Sequence, residues 1–112
     1  MSDWVDVAKT DEFPPGTGRL VDMDETMVAV FNLNGNYYAI EDVCTHDGSP
    51  FLGCGLEPRD LMEGDEIVCP RHGARFSIVT GEALSPPAYE PTTIFPTRVD
   101  AGMVQVRDDR WD

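Results

Sequence analysis

Both histidines of this chain stand just after a cysteine, and that pairing constrains the fold more than any other feature. The two runs are Cys44-Thr45-His46 and Cys69-Pro70-Arg71-His72. With only two histidines and three cysteines in 112 residues, chance is a poor account of both pairs. A chain that uses them together must bring two loops, distant in sequence, face to face. Each loop then offers one thiolate and one imidazole, a two-sulfur, two-nitrogen set at metal-ligand spacing. The candidate ligands are Cys44, His46, Cys69 and His72.

Such a set suits tetrahedral zinc or a [2Fe–2S] cluster in which two histidines replace two cysteines on one iron. A zinc finger ordinarily places a Cys pair before a His pair and presents the histidines on a short helix. Here the order is Cys, His, Cys, His, and the 47–68 segment reads as loop and strand. The mixed order fits two similar loops facing each other.

This pattern resembles the Rieske family, and the flanking residues extend the match. The loops read Cys44-Thr45-His46-Asp47-Gly48 and Cys69-Pro70-Arg71-His72-Gly73, each with a glycine shortly after the histidine. Arg75-Phe76-Ser77 and Thr80-Gly81 follow, and Leu84-Ser85-Pro86-Pro87-Ala88 stands where the family has a proline-containing covering loop. The likeness runs from about Trp4 to Val106. It implies a single all-β domain over residues 1–112, a small antiparallel β-sandwich with a two-loop cluster-binding subdomain. Its ligand loops would span about 43–50 and 69–76, and its covering loop about 84–88. The resemblance also implies one [2Fe–2S] cluster per chain, with Cys44 and Cys69 on the inner iron and His46 and His72 on the outer iron. The role implied is that of a soluble ferredoxin, an electron carrier without catalysis of its own. It would move single electrons from a flavin reductase to a terminal oxygenase, as in aromatic-ring hydroxylating dioxygenases. Alternatives are an electron donor in another pathway, such as iron–sulfur assembly or a small reductase subunit, and a Cys₂His₂ zinc interaction module.

Subtype follows from what the family's high-potential members carry and this chain lacks. Those members brace their ligand loops with a disulfide; Arg71 stands where one half would be, and Cys54 lies too far along to supply the other. They also place a Ser and a Tyr after the second histidine to hydrogen-bond sulfur, where this chain has Ala74 and Phe76. Fewer such bonds stabilise the reduced state less, so the expected potential lies toward the low end of a span of roughly −150 to +300 mV. The 51–65 segment is longer than in most small Rieske ferredoxins and reads as a surface loop. Within it, Cys54 reads either as a reactive thiol or as a small packed side chain. Arg71 and Arg75 flank His72, either as solvated charges or as groups that offset cluster charge and guide a partner.

The rest of the chain reads as short strands between turns. Strands are expected at Trp4 to Ala8, Arg19 to Met23, Met27 to Leu33 and Tyr37 to Glu41. Asn34-Gly35 is the strongest hairpin signal, because both residues tolerate positive φ. Further strands are expected at Glu66 to Cys69, Arg75 to Ile78, Thr92 to Val99 and Met103 to Val106, with Pro96 marking an edge or bulge.

Twenty-one acidic against eight basic residues give a net charge of −13. That surface repels nucleic acid, and it either suits protein redox partners with basic faces or serves solubility alone. The lack of a long apolar run or a signal-peptide pattern points to a cytoplasmic protein with no membrane contact, and a monomer is expected.

Overall fold

The computed structural model describes residues 4–23, 26–43, 50–52, 58–70, 73–86 and 89–109. Among these the chain is mostly antiparallel strand. Strands β1 (Val5–Lys9), β2 (Gly18–Met23), β3 (Thr26–Leu33) and β4 (Asn36–Glu41) lead to the first ligand loop. One helical turn, α1 (Pro58–Leu61), precedes β5 (Met62–Glu63), β6 (Glu66–Val68) and β7 (Arg75–Ser77). Strands β8 (Ile94–Phe95), β9 (Thr97–Asp100) and β10 (Met103–Val106) close the chain. The described strands form three sheets, ordered β1-β10-β9, β2-β3-β4-β8 and β5-β6-β7.

The second sheet is the middle layer, and β3 shows why. Val28, Ala29, Val30, Phe31 and Asn32 are all buried in succession, a run possible only for a strand covered on both faces. Val28 and Val30 pack with Phe13, Phe95, Val104 and Val106 against the first sheet. Ala29 and Phe31 point the other way, packing with Ile40, Ile67, Phe76 and Ile78 against the third sheet. Each fully buried Phe or Ile contributes about 1.5–3 kcal/mol by leaving water, so both faces supply a core. The cores differ in one respect: that of the third sheet includes Cys69.

The hairpin signal holds. Asn34 and Gly35 take φ values of 56° and 94°, and Leu33 pairs with Asn36 across a two-residue turn. The buried Asn32 secures the turn: its Oδ1 accepts the Gly35 N–H at 2.8 Å and its Nδ2 donates to the Phe13 carbonyl at 2.7 Å.

The structure departs from the sequence expectations in two places. The strand expected over Thr92 to Val99 is split at Pro96. Ile94 pairs with Ile40 in the middle sheet, while Thr97 pairs with Val106 in the first. Proline lacks the N–H that would continue one ladder, so the chain changes sheets there. The 51–65 segment is also more than a surface loop. Pro58, pre-set for a helix start, opens α1; Leu61 is buried; and Met62–Glu63 forms the outer strand of the third sheet. The two-loop subdomain is therefore built on a small sheet of its own.

Candidate metal centre

Strands β4 and β6 each lead into a ligand loop. The stem of the first loop is closed by one side chain. Asp42, buried at 3% exposure, accepts the backbone N–H groups of Phe51 (2.9 Å) and Leu52 (2.8 Å) on a single oxygen, Oδ1. Its own N–H donates to the Met27 carbonyl at 2.9 Å, anchoring it to β3. A second clasp comes from Thr92, whose hydroxyl lies 3.3 Å from the Glu41 carbonyl and 3.4 Å from that of Val43. The loop thus leaves and re-enters the scaffold at fixed points.

The second loop closes through its own backbone. The Cys69 N–H donates to the Ala74 carbonyl at 2.7 Å, and the Gly73 N–H to the Cys69 carbonyl at 2.9 Å. Gly73 makes this return in a left-handed conformation, φ 72°, which explains the glycine after the second histidine. Residues 84–85 fasten onto the next strand: the Leu84 N–H donates to the Arg75 carbonyl at 2.7 Å, and the Arg75 N–H to Ser85 Oγ at 3.1 Å. The two loop stems meet where Phe51 packs edge-on to Phe76, ring centroids 5.3 Å apart.

Of the four candidate ligands, Cys69 lies within the described residues. It is a free cysteine at 1% exposure, packed in the cluster that contains Ala74, Phe51, Phe76 and Ile67. Its donor type and dry setting fit the inner, thiolate-held end of an iron–sulfur site. Cys44, His46 and His72 lie outside the described residues, as do Cys54, Arg71 and the Pro87-Ala88 end of the covering loop.

Arg75 is committed within the third sheet. Glu63 and Glu66 face each other across the β5–β6 hairpin, a like-charge pairing that destabilises a ladder. Arg75 Nη1 is ion-paired with Glu63 and lies 3.5 Å from Glu66. The hydrogen bond and charge of Glu63, with smaller contributions from Glu66, raise the guanidinium above its ordinary range. Arg75 is thus a solvated arginine paired at the surface with two glutamates, as one of the two sequence readings has it.

Sequence reasoning missed Asp42 and Thr92. A faint signal existed for the first, since an Asp at a strand end readily caps a loop through its carboxylate. Nothing local announced Thr92.

The Rieske [2Fe–2S] domain matches residues 3–96. The chain is 35% identical to the biphenyl dioxygenase ferredoxin subunit of Pseudomonas sp. (strain KKS102), over 86% of this chain and 84% of that protein. It is 30% identical to the ferredoxin component of the naphthalene 1,2-dioxygenase/salicylate 5-hydroxylase systems of Ralstonia sp., over 93% and 94% respectively. It also superposes on a chain in the complex of reduced oxygenase and oxidized ferredoxin in carbazole 1,9a-dioxygenase. There the TM-score is 0.80 and the identity 32%, covering 92% of this chain and 91% of that one. The chain belongs to the Rieske [2Fe–2S] family, and its metal group is a [2Fe–2S] cluster.

Proposed function

We propose that the protein is the ferredoxin component of an aromatic-ring dioxygenase system, taking single electrons from a flavin reductase and delivering them to a terminal oxygenase. The observation that carries this reading is the pair of braced loop stems, one of them ending in the buried Cys69, in a chain similar along most of its length to dioxygenase ferredoxins. In this reading Cys44, Cys69, His46 and His72 would hold the cluster. A [2Fe–2S] cluster supplies a one-electron couple.

The chain's own residues then do three things. Asp42, Thr92 and the Cys69–Ala74 backbone bond hold the ligand loops in place, limiting rearrangement between redox states. The apolar wall of Phe51, Ala74 and Phe76 keeps water from the inner end and offers no side-chain donor to sulfur. Both effects disfavour the added electron and keep the potential low. The acidic surface directs encounters toward basic faces on reductase and oxygenase. The carrier acts as a cytoplasmic monomer and performs no catalysis alone.

The test is reconstitution with a purified NADH-dependent flavin reductase and oxygenase of an aromatic dioxygenase system. Stopped-flow absorbance should show the ferredoxin reduced by the first and reoxidised by the second, with substrate hydroxylated only when all three are present. A protein that is reduced but hands no electron to any such oxygenase belongs to another pathway.

A further inference from the structure

The Asn34-Gly35 turn carries a reactive pair that electron transfer leaves unused. An asparagine followed by glycine can cyclise, because glycine has no Cβ to block the approach to its own nitrogen. Both residues are exposed, and among the described residues a Cβ at Gly35 would meet nothing within 4 Å. Water and base therefore reach the pair, and there is room for a five-membered ring. The restraint lies elsewhere. The Gly35 N–H, which must lose its proton to react, donates to Asn32 Oδ1 at 2.8 Å. Asn32 cannot drift with the turn, being 2% exposed and donating through Nδ2 to the Phe13 carbonyl at 2.7 Å. The flanking Leu33–Asn36 pair also holds the two turn residues at φ 56° and 94°. Bringing the Gly35 nitrogen against Asn34 Cγ requires rotation about the Asn34 Cα–C bond, which pulls that N–H off Asn32.

We propose that Asn34 is a site of spontaneous deamidation and that Asn32 holds it in check by gripping the attacking nitrogen. In the reaction the Gly35 nitrogen gives its proton to solvent base and attacks Asn34 Cγ. A C–N bond forms, the side-chain amide nitrogen leaves as ammonia, and water opens the resulting succinimide at either carbonyl. One water is consumed, one ammonia is released, and nothing is oxidised or reduced. The products are aspartate and isoaspartate. Isoaspartate runs the chain through its β-carbon, adding a backbone atom to a two-residue turn and spoiling the Leu33–Asn36 pairing. Either product also adds negative charge to a cleft of about 430 Å³ that Asn34 lines together with Asp65. No step involves the metal centre.

Deamidation is followed on the purified holoprotein in mildly alkaline buffer, by ammonia release and by peptide mass mapping of the segment that carries Asn34. The same chain in urea supplies the unrestrained rate. Folded protein should react about tenfold slower or more, since cyclisation must wait for the turn to open. Asn32→Ala should deamidate severalfold faster than wild type while still folded. Gly81→Ala, whose Cβ would press on the Thr92 carbonyl oxygen, loosens the fold elsewhere and should keep the wild-type rate. A wild-type rate in Asn32→Ala, or an equal acceleration in both variants, overturns the role of Asn32. If Asn32→Ala does not fold, hydrogen exchange at the wild-type Gly35 amide decides. Marked protection is expected there, and the free exchange usual for an exposed turn overturns the grip. Equal rates in urea and in the folded state overturn the restraint, and an Asn34 that stays intact even in urea overturns the site itself.

Discussion

Ala74 and Phe76 are two buried side chains that say most about the potential. Both have 0% exposure, and Phe76 stands edge-on to Phe51. Ala74→Ser adds a donor beside the loop that Cys69 opens, at the cost of one extra atom in a packed site, about 1–3 kcal/mol where it cannot be absorbed. Its midpoint potential, read by redox titration, should lie above wild type; an unchanged value would mean that the hydroxyl does not reach sulfur. The residue types that mattered here were legible in the sequence, because Cys, His and missing hydroxyls are chemical identities. What was illegible was partnership. Thr92 acts on carbonyls 51 and 49 residues earlier, and Arg75 is held by two glutamates that come together only when β5 and β6 pair. No local pattern encodes such contacts.

At the level of elements, Gly81 is the joint between the third sheet and Thr92, the residue that clasps the first loop. Its N–H donates to the Ser77 carbonyl at 2.8 Å, and its carbonyl receives the Thr92 N–H at 2.8 Å. A Cβ there would lie 2.4 Å from the Thr92 carbonyl oxygen, and φ is 80°. Gly81→Ala combines a backbone clash with a left-handed cost of about 1–2 kcal/mol. It should lower the thermal midpoint and speed cluster loss, because the displaced Thr92 also holds the first stem. The opposite change is available at Ala101, which occupies the β9–β10 turn at φ 51°. Asn tolerates that region better, so Ala101→Asn should stabilise by about 0.5–1 kcal/mol, visible as a raised thermal midpoint without change in potential. Elements with a strong two-residue signal, such as Asn34-Gly35, were readable in advance. The short β5 was not, since two residues carry no period and their strand character comes from pairing with Glu66 and Ile67.

On the scale of the whole molecule, architecture and charge shape function separately. The three sheets place two cores on either side of β3, and among the described residues the core against the third sheet is the one that contains the candidate ligand Cys69. The all-β class was legible from turn spacing and the ligand motifs, whereas the three-layer arrangement emerges only from the unbroken burial of residues 28–32. The net charge of −13 acts at longer range. Electron transfer to a partner with a basic face should slow by about tenfold or more between 0.01 and 0.5 M salt, as screening shortens from about 30 Å at the lower value. Stopped-flow rates independent of salt would show that the acidic surface does not steer encounter.

All of this depends on an iron–sulfur centre held by sulfur on one side and imidazole on the other. The direct measurement is EPR of anaerobically purified, dithionite-reduced protein, with iron and acid-labile sulfide quantified on the same sample. Two irons and two sulfides per chain, with a rhombic signal of low average g, are the predicted result. A colourless protein containing zinc, or a reduced signal typical of all-thiolate ligation, would contradict it.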